Sequence, residues 1–365
     1  MRARDKGFVP VVQDGVCTGI SDFDFMKTLE LTRKEECKVA LKRFISSLFV
    51  AIGGYPAVKR FVQPAITIVV YHRIIKDDHS GIRPYLSVSE SNLRRQIRFY
   101  KKEYLLLSLD EAIEQLQNRS IERNGLVITF DDGYEDNYSL GMKVFQEEGV
   151  RPAVFITTGC VDRQIALWPD RLRNLIYYSV ISAPVEIANT PITIQPQISS
   201  RIRAVKAAIA YVKTLDLKQR ESFLNDLENK IGPPAVPPSL MLDWDQVGTL
   251  ASQDVTIGSH TVNHPILAQV PEEIAGFEIE ESKRILEEKT GRKINTFAYP
   301  NGTQGDFSPM TIDLLRRSGY VAAVTTMRGV NRSGCDLFRL RRTGVYLTDS
   351  ITDIQCKFAL ESLLS

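Results

Sequence analysis

The sequence has little of what usually announces a function. Histidine occurs four times in 365 residues, and the five cysteines (Cys17, Cys37, Cys160, Cys335, Cys356) are scattered and form no C-x-x-C pair. Such usage excludes a disulfide framework and a thiolate zinc site, and points to reduced thiols and a cytosolic setting. Neither charge dominates: 46 Lys+Arg against 44 Asp+Glu leave a net charge of +2. A nucleic-acid binder would carry a clear basic excess, so no nucleic-acid partner is expected. No apolar run reaches the roughly 18 residues of a spanning helix. No G-x-G-x-x-G or Walker pattern follows any strand-like stretch, so nucleotide binding is not indicated. What is present is a globular balance, 43% hydrophobic and 25% charged, with length for one large domain or two modest ones.

Short β-branched runs alternate with helical patterns. AITIVVY, YLLLS, GLVITF (125–130) and PAVFIT (152–157) read as buried strands separated by helices, the first helix capped by Ser89. The rhythm breaks over 161–240, whose few apolar residues favour an insertion over an independent domain, closing on the Pro-rich GPPAVPPS. It resumes with VTIGSH (255–260), a helix from Pro271 to Lys289, NTFAY, YVAAVTT and TGVYL. Seven to eight strands of this kind predict an α/β protein, a distorted (β/α) barrel rather than an open sheet. The expected organisation is an N-terminal helical extension over 1–63, a barrel over 64–350 with the insertion at about 161–240, and a C-terminal helix over 351–365.

Barrels of this type gather their chemistry where strands end. Asp131 and Asp132 follow VITF, His260 and His264 follow VTIGS, His72 follows VVY, and Asn301 follows FAYP. Asp132, His260 and His264 make the ligand set of an open metal site. Pro265 keeps His264 out of helical geometry, so HTVNH is a strand-to-loop turn and not a zinc-protease helix. Neighbouring side chains on an extended chain diverge, so one aspartate can ligate while the other stays free as a general base.

These residues carry a family resemblance. TFDDG (Thr129–Gly133), HTVNH (His260–His264) and FAYPNG (Phe297–Gly302) resemble the three motifs of the polysaccharide deacetylases, the NodB homology domain of carbohydrate esterase family 4. LWPDRL and MLDWDQV are similar to the subgroup with a long insertion between the first two motifs. The resemblance implies a NodB-type distorted barrel and metal-dependent removal of acetyl from an N-acetylated glycan or glycolipid. It implies Asp131 as base, and Asp132, His260 and His264 as ligands of a divalent metal, zinc foremost with cobalt or nickel as alternatives. Two departures stand out. The Arg that normally orients the base, two residues before the third motif's Pro, is replaced by Ala298, and Arg342 is the candidate substitute. No histidine follows His264, so the general acid must come from elsewhere; Tyr71–His72 resembles a Y-H pair in relatives of biofilm-polysaccharide deacetylases, and His72 is the candidate.

The Asn301 N–H is the expected oxyanion donor, since Pro300 has none. Tyr134, Trp168, Tyr299 and Pro300 are the candidate substrate contacts, with Trp244 as a further stacking residue. Two rivals stay open: a same-fold hydrolase of O-acetyl esters or cyclic amides, and a catalytically weak glycan-binding protein. Residues 1–25 have mixed polarity, and Met26 is an alternative start. The stretch LKRFISSLFVAIGGYPAVKRF (41–61) reads as a signal-peptide core, a segment on a membrane surface or a packed helix. Without a clear signal peptide, the expected location is cytoplasmic or peripheral to the inner face of a membrane. The oligomeric state is not readable from the sequence.

Overall fold

Eight short parallel strands form the centre of the molecule in the computed structural model. It describes residues 12–13, 16–17, 44–78, 86–162, 167–187, 190, 192–196, 198–234, 241–347 and 349–364. The expectations for most of residues 1–25, for Lys42 and Arg43, and for most of GPPAVPPS therefore lie outside the described residues. The strands are β1 (Ile66–Tyr71), β2 (Leu105–Leu106), β3 (Gly125–Phe130), β4 (Ala153–Ile156), β5 (Thr256–Ser259), β6 (Thr296–Ala298), β7 (Ala322–Val324) and β8 (Thr343–Gly344). Their order is β7-β6-β5-β4-β3-β1-β8, with β2 beside β3. Residues 340–344 close the path: Leu340 bridges Val324 of β7, and Thr343 and Gly344 pair with Val69 and Val70 of β1. The distorted barrel expected from the sequence is the fold observed.

Every residue of β1 and β3 is buried, as in parallel strands covered on both faces. Alternation sorts them. Val69, Tyr71, Leu126, Ile128, Phe130, Val154 and Ile156 pack outward beneath helices, while Ile66, Ile68, Val127, Phe155, Ala298 and Val324 belong to a separate inner cluster. The outer layer includes α1 (Gly54–Phe61), α2 (Glu90–Glu103), α3 (Leu109–Asn118), α4 (Gly141–Glu148), α8 (Trp244–Ser252), α9 (Glu272–Thr290), α10 (Pro309–Arg317) and α11 (Ile351–Leu364). Their ends follow local chemistry. Ser89 caps α2 by accepting from Asn92 N, Ser108 and Glu111 form a capping box on α3, and Gly291 ends α9 at φ 64°.

The insertion differs from its compositional reading. Its helices α5 (Trp168–Tyr178), α6 (Ile198–Val212) and α7 (Leu217–Ile231) enclose a core of their own, with Leu172, Ile176, Val205, Ala208 and Leu224 at its centre. Three amphipathic helices need only one apolar stripe each to bury a shared core. A low average hydrophobicity hides that arrangement.

Candidate active site

The inner row of the strands runs out into polar residues. In β3 it continues from Val127 through Thr129 to Asp131, one step past the strand. Tyr71 pairs with Phe130, so His72, the next inner position of β1, stands beside Asp131. In β5 the row passes Gly258 and reaches His260. A Cβ on Gly258 would lie 2.3 Å from the Phe155 ring, so the missing side chain is what lets Phe155 fill the interior. From the closing segment comes Arg342, fully buried, its guanidinium 5.8 Å from the centre of that ring.

Arg342 grips Asp131 with a fork. Nη1 donates to Oδ1 at 2.7 Å and Nη2 to Oδ2 at 2.6 Å. Its remaining reach is used too, with Nε donating to the Thr325 carbonyl and Nη1 to Thr129 Oγ1. Burial alone would raise the Asp131 pKa, but the guanidinium beside it holds the carboxyl below its ordinary value. Asp131 is therefore ionised at neutral pH, with lone pairs left over beyond the fork.

Asp132 points elsewhere. Its Oδ1 lies 3.4 Å from His260 Nε2 and 3.5 Å from His264 Nε2. His260 Nδ1 bonds the Ala298 carbonyl at 2.7 Å, which makes Nδ1 the donor and points Nε2 at Asp132. Burial and the neighbouring His260 push the His264 pKa down to about 3, so that ring is neutral, the form that binds metals. Burial opposes the charged His260, yet Asp132 and Asp131 raise its pKa overall.

The three residues fit a cation. Their ligand atoms lie within 4.8 Å of one another and are buried. Separations of 3.4 and 3.5 Å are long for hydrogen bonds. They match the spacing, about 3.4 Å, of two ligands bound at about 2.1 Å to one tetrahedral ion. Arg342 neutralises Asp131, whereas among the described residues the Asp132 carboxylate faces mainly imidazoles, and a buried charge of that kind calls for a counter-ion.

The backbone around the site is held in unusual conformations. Left-handed φ values occur at Asp132 (77°), Thr261 (69°), His264 (55°) and Asn301 (57°), one or more in each of the three motifs. Such strain persists where surrounding contacts over-determine it. For HTVNH those contacts come from Glu278 on α9. Its Oε2 accepts from the Val262 and Asn263 amides, and its Oε1 from Asn263 Nδ2, each at 2.8 Å. Thr261 Oγ1 accepts from His264 N at 3.0 Å. Glu278 is 1% exposed and was not legible as a site residue, because it bonds mainly backbone amides that any sequence possesses.

The other expected residues divide. His72 is half-buried, and its charge bears on both Asp131 and Asp132. The Asn301 N–H has no acceptor among the described residues. The four candidate substrate contacts, in contrast, are buried. Tyr299 stacks on Phe307 at 4.1 Å and donates its hydroxyl to the Phe338 carbonyl. Tyr134 donates to Asp170 at 2.6 Å with the Arg73 guanidinium over its ring. Trp168 lies in the insertion core with Arg220 at 5.2 Å from its ring. Pro300 is buried as well. Trp244 is half-buried, with Lys289 over its ring. Aromatic area is more valuable inside than at a rim, which is why a stacking role read from residue type does not fit Tyr134, Trp168 or Tyr299. Tyr134 joins barrel to insertion through Asp170 instead, and two further bonds do the same. Leu242 N donates to the Gly133 carbonyl, and Arg220 reaches the Asn263 carbonyl at 3.5 Å.

Fold and site together define a (β/α) barrel with an Asp–His–His pocket beside an Arg-clamped aspartate. The chain belongs to the polysaccharide deacetylase family, whose model matches residues 118–323. Three solved structures share the fold. The Streptococcus pyogenes deacetylase PplD in complex with acetate is 18% identical, with a TM-score of 0.55 over 81% of this chain and 99% of that one. IcaB from Ammonifex degensii is also 18% identical, with a TM-score of 0.55 over 81% and 97%. The de-N-acetylase from Aggregatibacter actinomycetemcomitans is 15% identical, with a TM-score of 0.52 over 80% and 99%. No curated protein matches the chain.

Proposed function

We propose that the protein hydrolyses N-acetyl groups of an N-acetylated sugar or polysaccharide in a metal-dependent reaction. The observation that carries this reading is an ionised, oriented carboxylate, Asp131, next to a buried Asp132–His260–His264 set. Those three residues would hold a divalent cation, zinc foremost with cobalt or nickel as alternatives, which supplies Lewis-acid polarisation and makes water more acidic. Asp131 takes a proton from water as the water oxygen forms its bond to the acetyl carbon. The Arg342 fork fixes the direction from which the proton is taken and keeps Asp131 ionised. The Asn301 N–H donates to the carbonyl oxygen as charge builds there. The carbon–nitrogen bond then breaks, His72 gives the nitrogen a proton, and acetate and a free amine leave.

The test is acetate release from short N-acetylglucosamine oligomers, using protein stripped of metal and refilled with zinc or cobalt. Restored release that falls by about 10²–10⁴ in Asp131→Asn, with one equivalent of metal still bound, is expected. Release from O-acetyl esters or cyclic amides alone would reject the amide reading. Glycan binding without any release would reject the enzymatic one.

A further inference from the structure

We propose that the N-terminal helices and the C-terminal helix together form a docking surface for an anionic phospholipid bilayer. The motivating observation is where the exposed apolar side chains lie. Phe44, Ile45, Leu48 and Ile52 follow one face of the helix over residues 44–51 and the turn after it, each more than half exposed. Leu360 and Leu364, at 57% and 83% exposed, follow one face of α11. The two helices touch: Cys356 Sγ contacts the Ser46 carbonyl at 3.4 Å, one turn before Leu360. They are also anchored. Phe49 and Val50 pack against the main core, α1 packs on α11, and Lys59 pairs with Glu103 at 3.1 Å. The exposed face is thus the outer side of a seated structure.

Its charge selects the partner. From Cys37 to Lys76 the chain holds no Asp or Glu but several Lys and Arg, and Arg60 is exposed at the end of α1. On α11 both acidic residues, Asp353 and Glu361, are buried, so negative charge is withdrawn from the patch. Apolar side chains on a stretch of chain that holds basic residues and no acid are complementary to acyl chains beneath anionic headgroups. Among the described residues no helix is long and apolar enough to cross a membrane, so the geometry is that of a protein lying on the surface. The inference goes beyond the proposed reaction and uses none of its residues.

The test is co-sedimentation of the full-length protein with vesicles of phosphatidylcholine alone and of phosphatidylcholine with phosphatidylglycerol. Preferential pelleting with the anionic vesicles is expected, weakened by salt. Leu48→Asp together with Leu360→Asp should lower partitioning by more than about tenfold, and Arg60→Glu by roughly fivefold or more. Phe277→Asp, which alters an exposed side chain on α9, should leave it unchanged. Circular dichroism checks that each variant is folded. Absence of pelleting, or pelleting indifferent to lipid charge or to the double substitution, overturns the proposal. So does a dimer in light scattering that the double substitution dissociates while no vesicle is bound; the face is then a contact between two copies.

Discussion

Arg342 and Asp131 form a buried ion pair, and such pairs behave asymmetrically when cut. Removing the cation leaves a buried carboxylate without a counter-charge. Arg342→Met should therefore cost about 3–5 kcal/mol in chemical denaturation. Adding Asp131→Asn should recover part of the loss, a coupling that a double-mutant cycle measures directly; strict additivity would mean the fork contributes no coupling. Glu278 supports the pocket differently, through the turn between the histidines. Glu278→Ala should weaken cobalt binding by roughly tenfold or more in a competition titration. Glu278→Gln should do less, because one side-chain oxygen can still accept from both the Val262 and Asn263 amides. Equal metal affinity in all three proteins would reduce Glu278 to a helix residue without influence on the pocket. Arg342 was legible in the sequence through a vacancy, the Ala298 that stands where an orienting arginine is usual. Glu278 had no such sign, since it lies 14 residues past His264 in a helix of ordinary composition.

Strands gave their positions away more readily than aromatic residues gave their roles. Short β-branched runs with abrupt polar endings locate β1, β3 and β5, and the two-residue period of a strand says which residue beyond each one turns inward. Tyr299, by contrast, is spent on stacking with Phe307 and on the Phe338 carbonyl, a tertiary outcome with no local signature. The insertion core was hidden for a related reason: its apolar residues are spread over α5, α6 and α7, and they meet only when the three helices pack. Gly258 tests the packing of strand against strand. Gly258→Ala would drive a methyl into the Phe155 ring and should cost about 1–3 kcal/mol, read from the denaturation midpoint. An unchanged midpoint would mean that the interior has slack for Phe155 to move.

The pocket draws Asp132 from the end of β3 and His260 and His264 from the end of β5, with β4 between them. A cation held there ties together segments far apart in the chain, and only the folded state offers all three ligands. Chelation should lower the melting temperature in proportion to the binding free energy lost. The Asp132→Asn protein, with a weakened pocket, should show a smaller drop. A melting temperature indifferent to chelator in both proteins would mean that no cation is bound under those conditions.

The closing segment, residues 340–344, also sets a schedule. A ribosome emits Asp131, Asp132 and both histidines long before it emits Arg342. Until then the chain has no guanidinium for Asp131, and β1 lacks β8 at its side. The Asp131 clamp and the finished ring thus depend on the same late residues, and a nascent chain lacks both until its final strand is in place.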